Sequence, residues 1–172
     1  AQAVAICQDR ALEKAHFRRC GVSCAPHAVI ETAEQLAAVD AALLPGILKT
    51  ARLGYDGKGQ VTVKTPEDLA AAWTQLGRVP CVLEQRLDLA FEVSVIVARN
   101  AQGEVVHFPV QRNLHRDGIL AVTTVPAPEV GPELQAQAVG AAESLAASMH
   151  YVGVLCVEFF VLRDGRLVAN EM

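Results

Sequence analysis

The segment Gly54-Tyr55-Asp56-Gly57-Lys58-Gly59-Gln60 constrains this chain more than any other. It follows the apolar run Ile47-Leu48-Lys49-Thr50, which reads as a strand, and residues 60–64 read as the strand that returns. Three glycines within six residues open backbone conformations that a Cβ would close, so N–H groups can turn toward one point and line an anion. Lys58 inside the loop and Lys49 at the end of the preceding strand add positive charge. A strand, loop and strand of this kind suit a polyphosphate. The loop is not a P-loop, because no Gly-Lys-Ser/Thr opens a helix, and not a dinucleotide fingerprint, because it joins two strands. The alternative is a solvated glycine-rich hairpin, and Lys49 weighs against it.

The bulk of the chain sets outer bounds. Its 172 residues, 52% of them hydrophobic and 20% charged, suffice for one domain or two small lobes with a real core. A net charge of −4 argues against a nucleic-acid binder. No apolar run approaches the roughly 20 residues of a membrane helix, and the first residues lack the basic start of a signal peptide. The cysteines Cys7, Cys20, Cys24, Cys81 and Cys156 are odd in number and scattered. Cys20 and Cys24 are spaced like half a zinc site, but no second pair follows, so reduced packing thiols and a cytoplasmic location are expected.

Hydrophobic periodicity and turn residues predict helices over 8–20 and 32–39, strands over 26–30, 47–50 and 60–64, and a helix from Thr65 to about Leu76. That helix has the strongest start: a capping Thr65, Pro66 at the first helical position and two acids in the first turn. The second half predicts strands over 80–85, 91–99, 104–111 and 119–125, with a polar turn at Asn113-Leu114-His115-Arg116-Asp117-Gly118. An alanine-rich helix over 132–149 precedes a hairpin of 153–162 and 166–170 about Asp164-Gly165. The expected class is α+β. A helical lead-in over 1–27 precedes a small lobe over 28–83 that carries the glycine loop, then a larger mixed sheet over 84–172. The strand pattern reaches almost to Met172, which leads to the expectation of a segment from a longer protein.

Two acids form the next constellation. A two-residue turn at Asp164-Gly165 sets Arg163 opposite Arg166, and counting outward sets Glu158 opposite Glu171. Facing carboxylates repel, unless a divalent cation lies between them, and oxygen ligands suit Mg²⁺. Two solvent-facing acids are the alternative, which the apolar residues around Glu158 disfavour. Glu84 ends an apolar strand before the bend Gln85-Arg86-Leu87-Asp88. Such a bend can offer backbone groups to a base and a carboxylate to ribose hydroxyls, although polar strand ends are common. Glu92 belongs with it. His115 and Arg116 in the polar turn can meet a phosphate, although a lone surface histidine more often has no such role. The other histidines share no metal spacing and receive no role, and no Ser/His/Asp or Cys/His triad is evident.

Together these residues resemble the ATP-grasp family, in which two α+β lobes hold ATP between them. Within it they are most similar to the carboxyaminoimidazole ribonucleotide synthases of purine biosynthesis. The resemblance covers essentially the whole chain. It is carried by Gln8-Asp9-Arg10 with Glu13-Lys14, Leu48-Lys49-Thr50, Gly54 to Gln60, Glu84, Phe91-Glu92-Val93-Ser94, Asn113-Leu114-His115, Gly118-Ile119-Leu120, Gly153-Val154-Leu155, Glu158-Phe159-Phe160 and Asn170-Glu171. The loop is rather specific to these synthases, whereas Lys49 and the acid pair are general to the superfamily.

The resemblance implies an ATP- and Mg²⁺-dependent carbon–nitrogen ligase. ATP phosphorylates bicarbonate to carboxyphosphate, and the amine of aminoimidazole ribonucleotide is then carboxylated. It implies that Arg10 and Lys49 contact the phosphates. The loop Gly54, Tyr55, Asp56, Gly57, Lys58, Gly59 and Gln60 closes over them, with Tyr55, Asp56 and Lys58 catalytic. Glu84, Gln85, Arg86 and Leu87 line the adenine, Glu92 takes the ribose, His115 and Asn170 lie near the nucleotide, and Glu158 and Glu171 bind Mg²⁺. Family members carry further domains on both sides. The chain is therefore expected to hold much of the nucleotide site but little of the ribonucleotide site, to be inactive alone, and to be a homodimer when full length. No nucleic-acid or membrane partner is implied. The rival readings are another ATP-grasp carboxylase or ligase, such as a biotin carboxylase, and a non-catalytic nucleotide-binding or structural domain.

Overall fold

The computed structural model describes residues 2–54, 58–116 and 118–172. Five α-helices are described: α1 (Gln2–Cys7), α2 (Arg10–Arg19), α3 (Ala33–Ala37), α4 (Pro66–Gln75) and α5 (Pro132–Ser148). The strands are β1 (His27–Ile30), β2 (Gly46–Thr50), β3 (Gln60–Val63), β4 (Cys81–Gln85), β5 (Leu89–Arg99), β6 (Val105–His107), β7 (Gln111–Arg116), β8 (Ile119–Thr124), β9 (Gly153–Leu162) and β10 (Leu167–Glu171). None of the described helices is long and apolar enough to cross a membrane.

Two antiparallel sheets result. The first has the order β1-β4-β2-β3, and the second β10-β9-β5-β7-β8 with β6 paired to β5. On the first sheet Ile30, Leu48, Val63, Cys81 and Leu83 bury their side chains against Leu69, Ala72 and Trp73 of α4. The Thr65 hydroxyl accepts from Asp68 N–H while the Asp68 carboxylate accepts from Thr65 N–H, a reciprocal cap that starts α4 where the sequence indicates. In the second sheet the period-2 pattern places Val93, Val95 and Val97 on one face, fully buried with Val157 and Phe159. Ala138, Ala142 and Ala146 of α5 cover that face with Leu145.

Helix α2 belongs to neither sheet alone and touches β4 of one and β10 of the other. Asp9 caps it by accepting from Ala11 N–H at 3.0 Å and Leu12 N–H at 3.3 Å. This cap explains why the helix begins at Arg10 and not at residue 8, with α1 as a separate helix before it. Its buried residues are Glu13, Lys14, His16 and Phe17, so the inward face is largely polar.

Three expectations are corrected. The strand expected over 104–111 is broken into β6 and β7, because Pro109 has no N–H to continue the ladder. Residues 113–116 of the expected polar turn instead belong to β7, which places His115 and Arg116 on a strand, while Asp117 lies outside the described residues. The β9–β10 turn also differs. Leu162 N–H donates to Arg166 O and Gly165, at φ +86°, donates to Leu162 O, so three residues form the loop and Arg163 does not face Arg166.

Gly46 lies where β2 passes closest to its neighbours. A Cβ there would sit 2.8 Å from both Glu84 O and Leu43 O, and 2.9 Å from a Leu83 methyl. Gly46→Ala is predicted to destabilise the protein by about 1–3 kcal/mol through overpacking, measured by urea denaturation.

Candidate functional site

A cavity of about 620 Å³ lies between the sheets, lined by Pro45, Ile47, Lys49, Glu84 to Leu89, and Phe160. A larger hollow of about 750 Å³ is lined by Arg18, His27, Asp40 and their neighbours. That hollow contains none of the clustered charges described below, so the chemistry assigns the site to the smaller cavity.

The small-sheet wall is built on a buried charge set. Lys49 Nζ on β2 donates to Glu84 Oε2 on β4 at 3.0 Å, and Lys14 Nζ on α2 lies 3.1 Å from Glu84 Oε1. The β2–β4 register sets Ile47 beside Glu84, two residues from Lys49, which puts the two side chains on one face. Burial pushes the Glu84 carboxyl up, but Lys49 and Lys14 pull it down further, below the usual glutamate range. Two ammonium groups share one carboxylate, so the set presents net positive charge toward the cleft. The Lys14 side chain is only 1% exposed, and its Nζ also donates to Asn170 O at 3.3 Å. The neighbouring Glu13 accepts from Met172 N–H at 2.7 Å. Burial is the main cause raising the Glu13 carboxyl, to about 8.

On the large sheet Phe160 lines the cavity, and the acids Glu92, its ladder partner, and Glu158, two residues before it, share its face. β10 pairs with β9 as Leu167↔Val161, Val168↔Phe160 and Ala169↔Phe159, one residue away from the expected register. Asn170 is then an extra residue, a bulge, after which Glu171 does face Glu158. Burial and then the nearby Glu171 raise the Glu158 carboxyl, and burial raises Glu92 despite His115 beside it. His115 Nδ1 lies 2.9 Å from Glu92 Oε2, close enough for an ion pair but without hydrogen-bond alignment. Glu92, His115 and Glu158 offer ligand atoms within 4.8 Å of one another. Crowded carboxylates whose ionised forms are disfavoured fit a divalent cation, and the oxygen pair Glu158 and Glu171 fits a hard one.

The remaining sequence-predicted residues fall around these walls. Arg10 Nη2 is 3.6 Å from Glu171 Oε2 and packs near Gly54, so it links the loop's start to the acid pair. Gly59 closes the loop's base: Thr50 N–H donates to its carbonyl at 2.8 Å, and its φ of +72° leaves a Cβ only 2.8 Å from Thr50 Oγ1. Gln60 faces Lys49 in the β2–β3 register, and Lys58 lies at the same base, its carbonyl next to Gly54. Tyr55, Asp56 and Gly57 lie outside the described residues. Along the cavity's edge Gln85 N–H donates to Pro26 O and Arg86 N–H to Pro45 O, both at 2.9 Å, which fixes the bend that leads to Leu87. Glu84 turns its carboxylate to the two lysines and not to open cleft. Sequence reasoning gave Glu13 and Lys14 no site role. Two adjacent charges on a helix ordinarily mark a solvated face, and periodicity carries no sign that this one is buried.

A family model described as the ATP-grasp domain matches residues 15–172. The chain belongs to the ATP-grasp family. It is 44% identical over 172 residues to the N5-carboxyaminoimidazole ribonucleotide synthase of Brucella melitensis, an alignment covering 98% of this chain and 47% of that protein. An N5-carboxyaminoimidazole ribonucleotide synthetase solved as an ADP complex superposes with a TM-score of 0.90 at 37% identity, over 99% of this chain and 45% of that one. A synthase from Aspergillus clavatus, solved with ADP and the aminoimidazole ribonucleotide, gives 0.85 at 27% identity, over 99% and 44%. The chain thus spans just under half the length of the relatives it matches.

The Glu13 carboxyl makes stability depend on pH. Its folded value of about 8 lies above an unfolded value of about 4.3, so its contribution is full below the unfolded value and lost as pH rises through about 8. Glu13→Gln removes that titration. Relative to the parent, the variant is predicted to gain on the order of a few kcal/mol between pH 5 and pH 8, read by urea denaturation at both.

Proposed function

We propose that the full-length protein carboxylates aminoimidazole ribonucleotide with bicarbonate, using ATP and Mg²⁺, in purine biosynthesis. The carrying observation is the cleft in which Lys49, paired with Glu84, lines one side, Glu92, His115 and Glu158 cluster on the other sheet and Arg10 pairs with Glu171, in a chain 44% identical to a synthase of that name. In this reading the adenine lies along Gln85, Arg86 and Leu87, against Phe160, with Glu84 behind it. Glu92, next to His115, takes the ribose hydroxyls. Lys49 and Arg10 neutralise the phosphates, and the 54–60 loop covers them, with Tyr55, Asp56 and Lys58 on the bicarbonate side. Glu158 and Glu171, with Asn170 beside them, hold Mg²⁺, which supplies charge neutralisation during phosphoryl transfer.

The chemistry needs no protein nucleophile. Phosphoryl transfer to bicarbonate rests on alignment and charge stabilisation, and a closed loop keeps water from the labile carboxyphosphate. The lobes taken as 28–83 and 84–172 supply the two walls. The ribonucleotide contacts fall largely to parts of the protein beyond this chain, and the whole is a cytoplasmic homodimer.

The full-length protein is expected to release ADP and phosphate from ATP only when bicarbonate and aminoimidazole ribonucleotide are both present, with the carboxylated ribonucleotide as product. Lys49→Met and Glu171→Gln are each predicted to lower kcat/KM about 100-fold or more. ATP turnover indifferent to the ribonucleotide, or carboxylation of biotin in its place, overturns the reading.

A further inference from the structure

We propose that Lys14 is the positioning residue of the cation site: its ammonium holds the Asn170 bulge that turns Glu171 to the same face as Glu158. The inference rests on the reading of those two acids given above and concerns a residue that reading leaves out.

From Leu167 to Ala169 the pairs of β10 and β9 run Val161, Phe160, Phe159. Continued without interruption, that ladder places Asn170 opposite Glu158 and Glu171 opposite Val157. Side chains alternate along a strand, so Glu171 would then point to the face where Val157 is buried, away from Glu158. The extra residue reverses this and sets Glu171 against Glu158. A bulge withdraws a backbone group from the ladder, and that group needs another partner. Here the Asn170 carbonyl accepts from Lys14 Nζ at 3.3 Å. The strand is tied on either side of it as well. Ala169 N–H donates to Ser23 O at 2.7 Å, and Met172 N–H donates to Glu13 at 2.7 Å.

The second contact of Lys14 reaches the opposite wall. The same Nζ lies 3.1 Å from Glu84 Oε1, whose other oxygen holds Lys49. One buried ammonium therefore sets the phosphate-side lysine on the small sheet relative to the cation-side carboxylate on the large sheet. A buried charged set of this kind is weak as a source of stability, since an apolar replacement of equal size often does as well, while it fixes geometry closely.

The test is a double-mutant cycle read by Mn²⁺ binding in the presence of ADP, followed by electron paramagnetic resonance of the full-length protein. Lys14→Met is expected to weaken Mn²⁺ binding about tenfold, and Glu171→Gln to weaken it at least as much. Combined, they are expected to be no weaker than Glu171→Gln alone, because a positioning residue has nothing left to position. Amide exchange at Glu171 and Met172 is expected to speed up in Lys14→Met. Additive losses, or unchanged Mn²⁺ affinity in folded Lys14→Met, overturn the assignment while leaving the acid pair as ligands. No Mn²⁺ binding by the parent overturns both. Should Lys14→Met fail to fold because Glu84 loses a partner, the cycle is run in the Glu84→Gln background, where additivity again overturns it.

Discussion

The Lys14–Glu84–Lys49 charge set is the interaction on which the rest of the site depends. Its members come from α2, β4 and β2, and two of them have almost no contact with solvent. Leaving any one of them unpaired in that position costs about 3–5 kcal/mol. The three elements are therefore held together by the penalty for separating them more than by net attraction. The depressed Glu84 carboxyl is the electrostatic consequence, since two ammonium groups outweigh the cost of its burial.

From this set the two walls of the cleft acquire their opposite characters. Lys49 of the small sheet lines the cavity, while on the large sheet the carboxylates Glu92 and Glu158 share the face of Phe160, which lines it from the other side. Arg10, at the start of the same helix, crosses to Glu171. Helix α2 is thus a beam between the sheets, anchored at one end by Asp9 and Ala51 and at the other by Phe17 in the large core. His16 adds a further tie, its Nε2 lying 3.0 Å from Ser148 Oγ at the end of α5. The helix thereby ties Glu84 of the small sheet to the Asn170–Glu171 end of the large one.

Much of the fold was legible in the sequence where one local signal acted alone. The Thr65-Pro66 start of α4, the alternation of Val93, Val95 and Val97, and the strand ending in Lys49 all reappear in the structure. Local signals misled where two competed. Pro109 divides what looked like one strand, and polar residues at 113–116 are a strand because β5 and β8 flank them on either side. The Glu158–Glu171 pairing was reached from the sequence by an incorrect turn. The loop has three residues and not two, and the one-residue slip this causes is cancelled by the bulge at Asn170. The pairing is right, but the reason for it was out of reach, since a bulge is set by a partner on another element.

By itself the sequence determined the fold class, and its glycine loop with Lys49 before it, and its acids late in the chain, raised the expectation of a polyphosphate and a cation, with a solvated hairpin and two solvent-facing acids as the alternatives. Only the tertiary structure decided that Glu13 and Lys14 lie inside, and that Glu84 belongs to the lysines and not to the open cleft. It also decided that Glu171 points toward Glu158. The physical reason is that each of these depends on which element lies opposite. Burial, ion pairing and the facing of a bulged strand are properties of a neighbour, and the neighbour of Lys14 is 156 residues away.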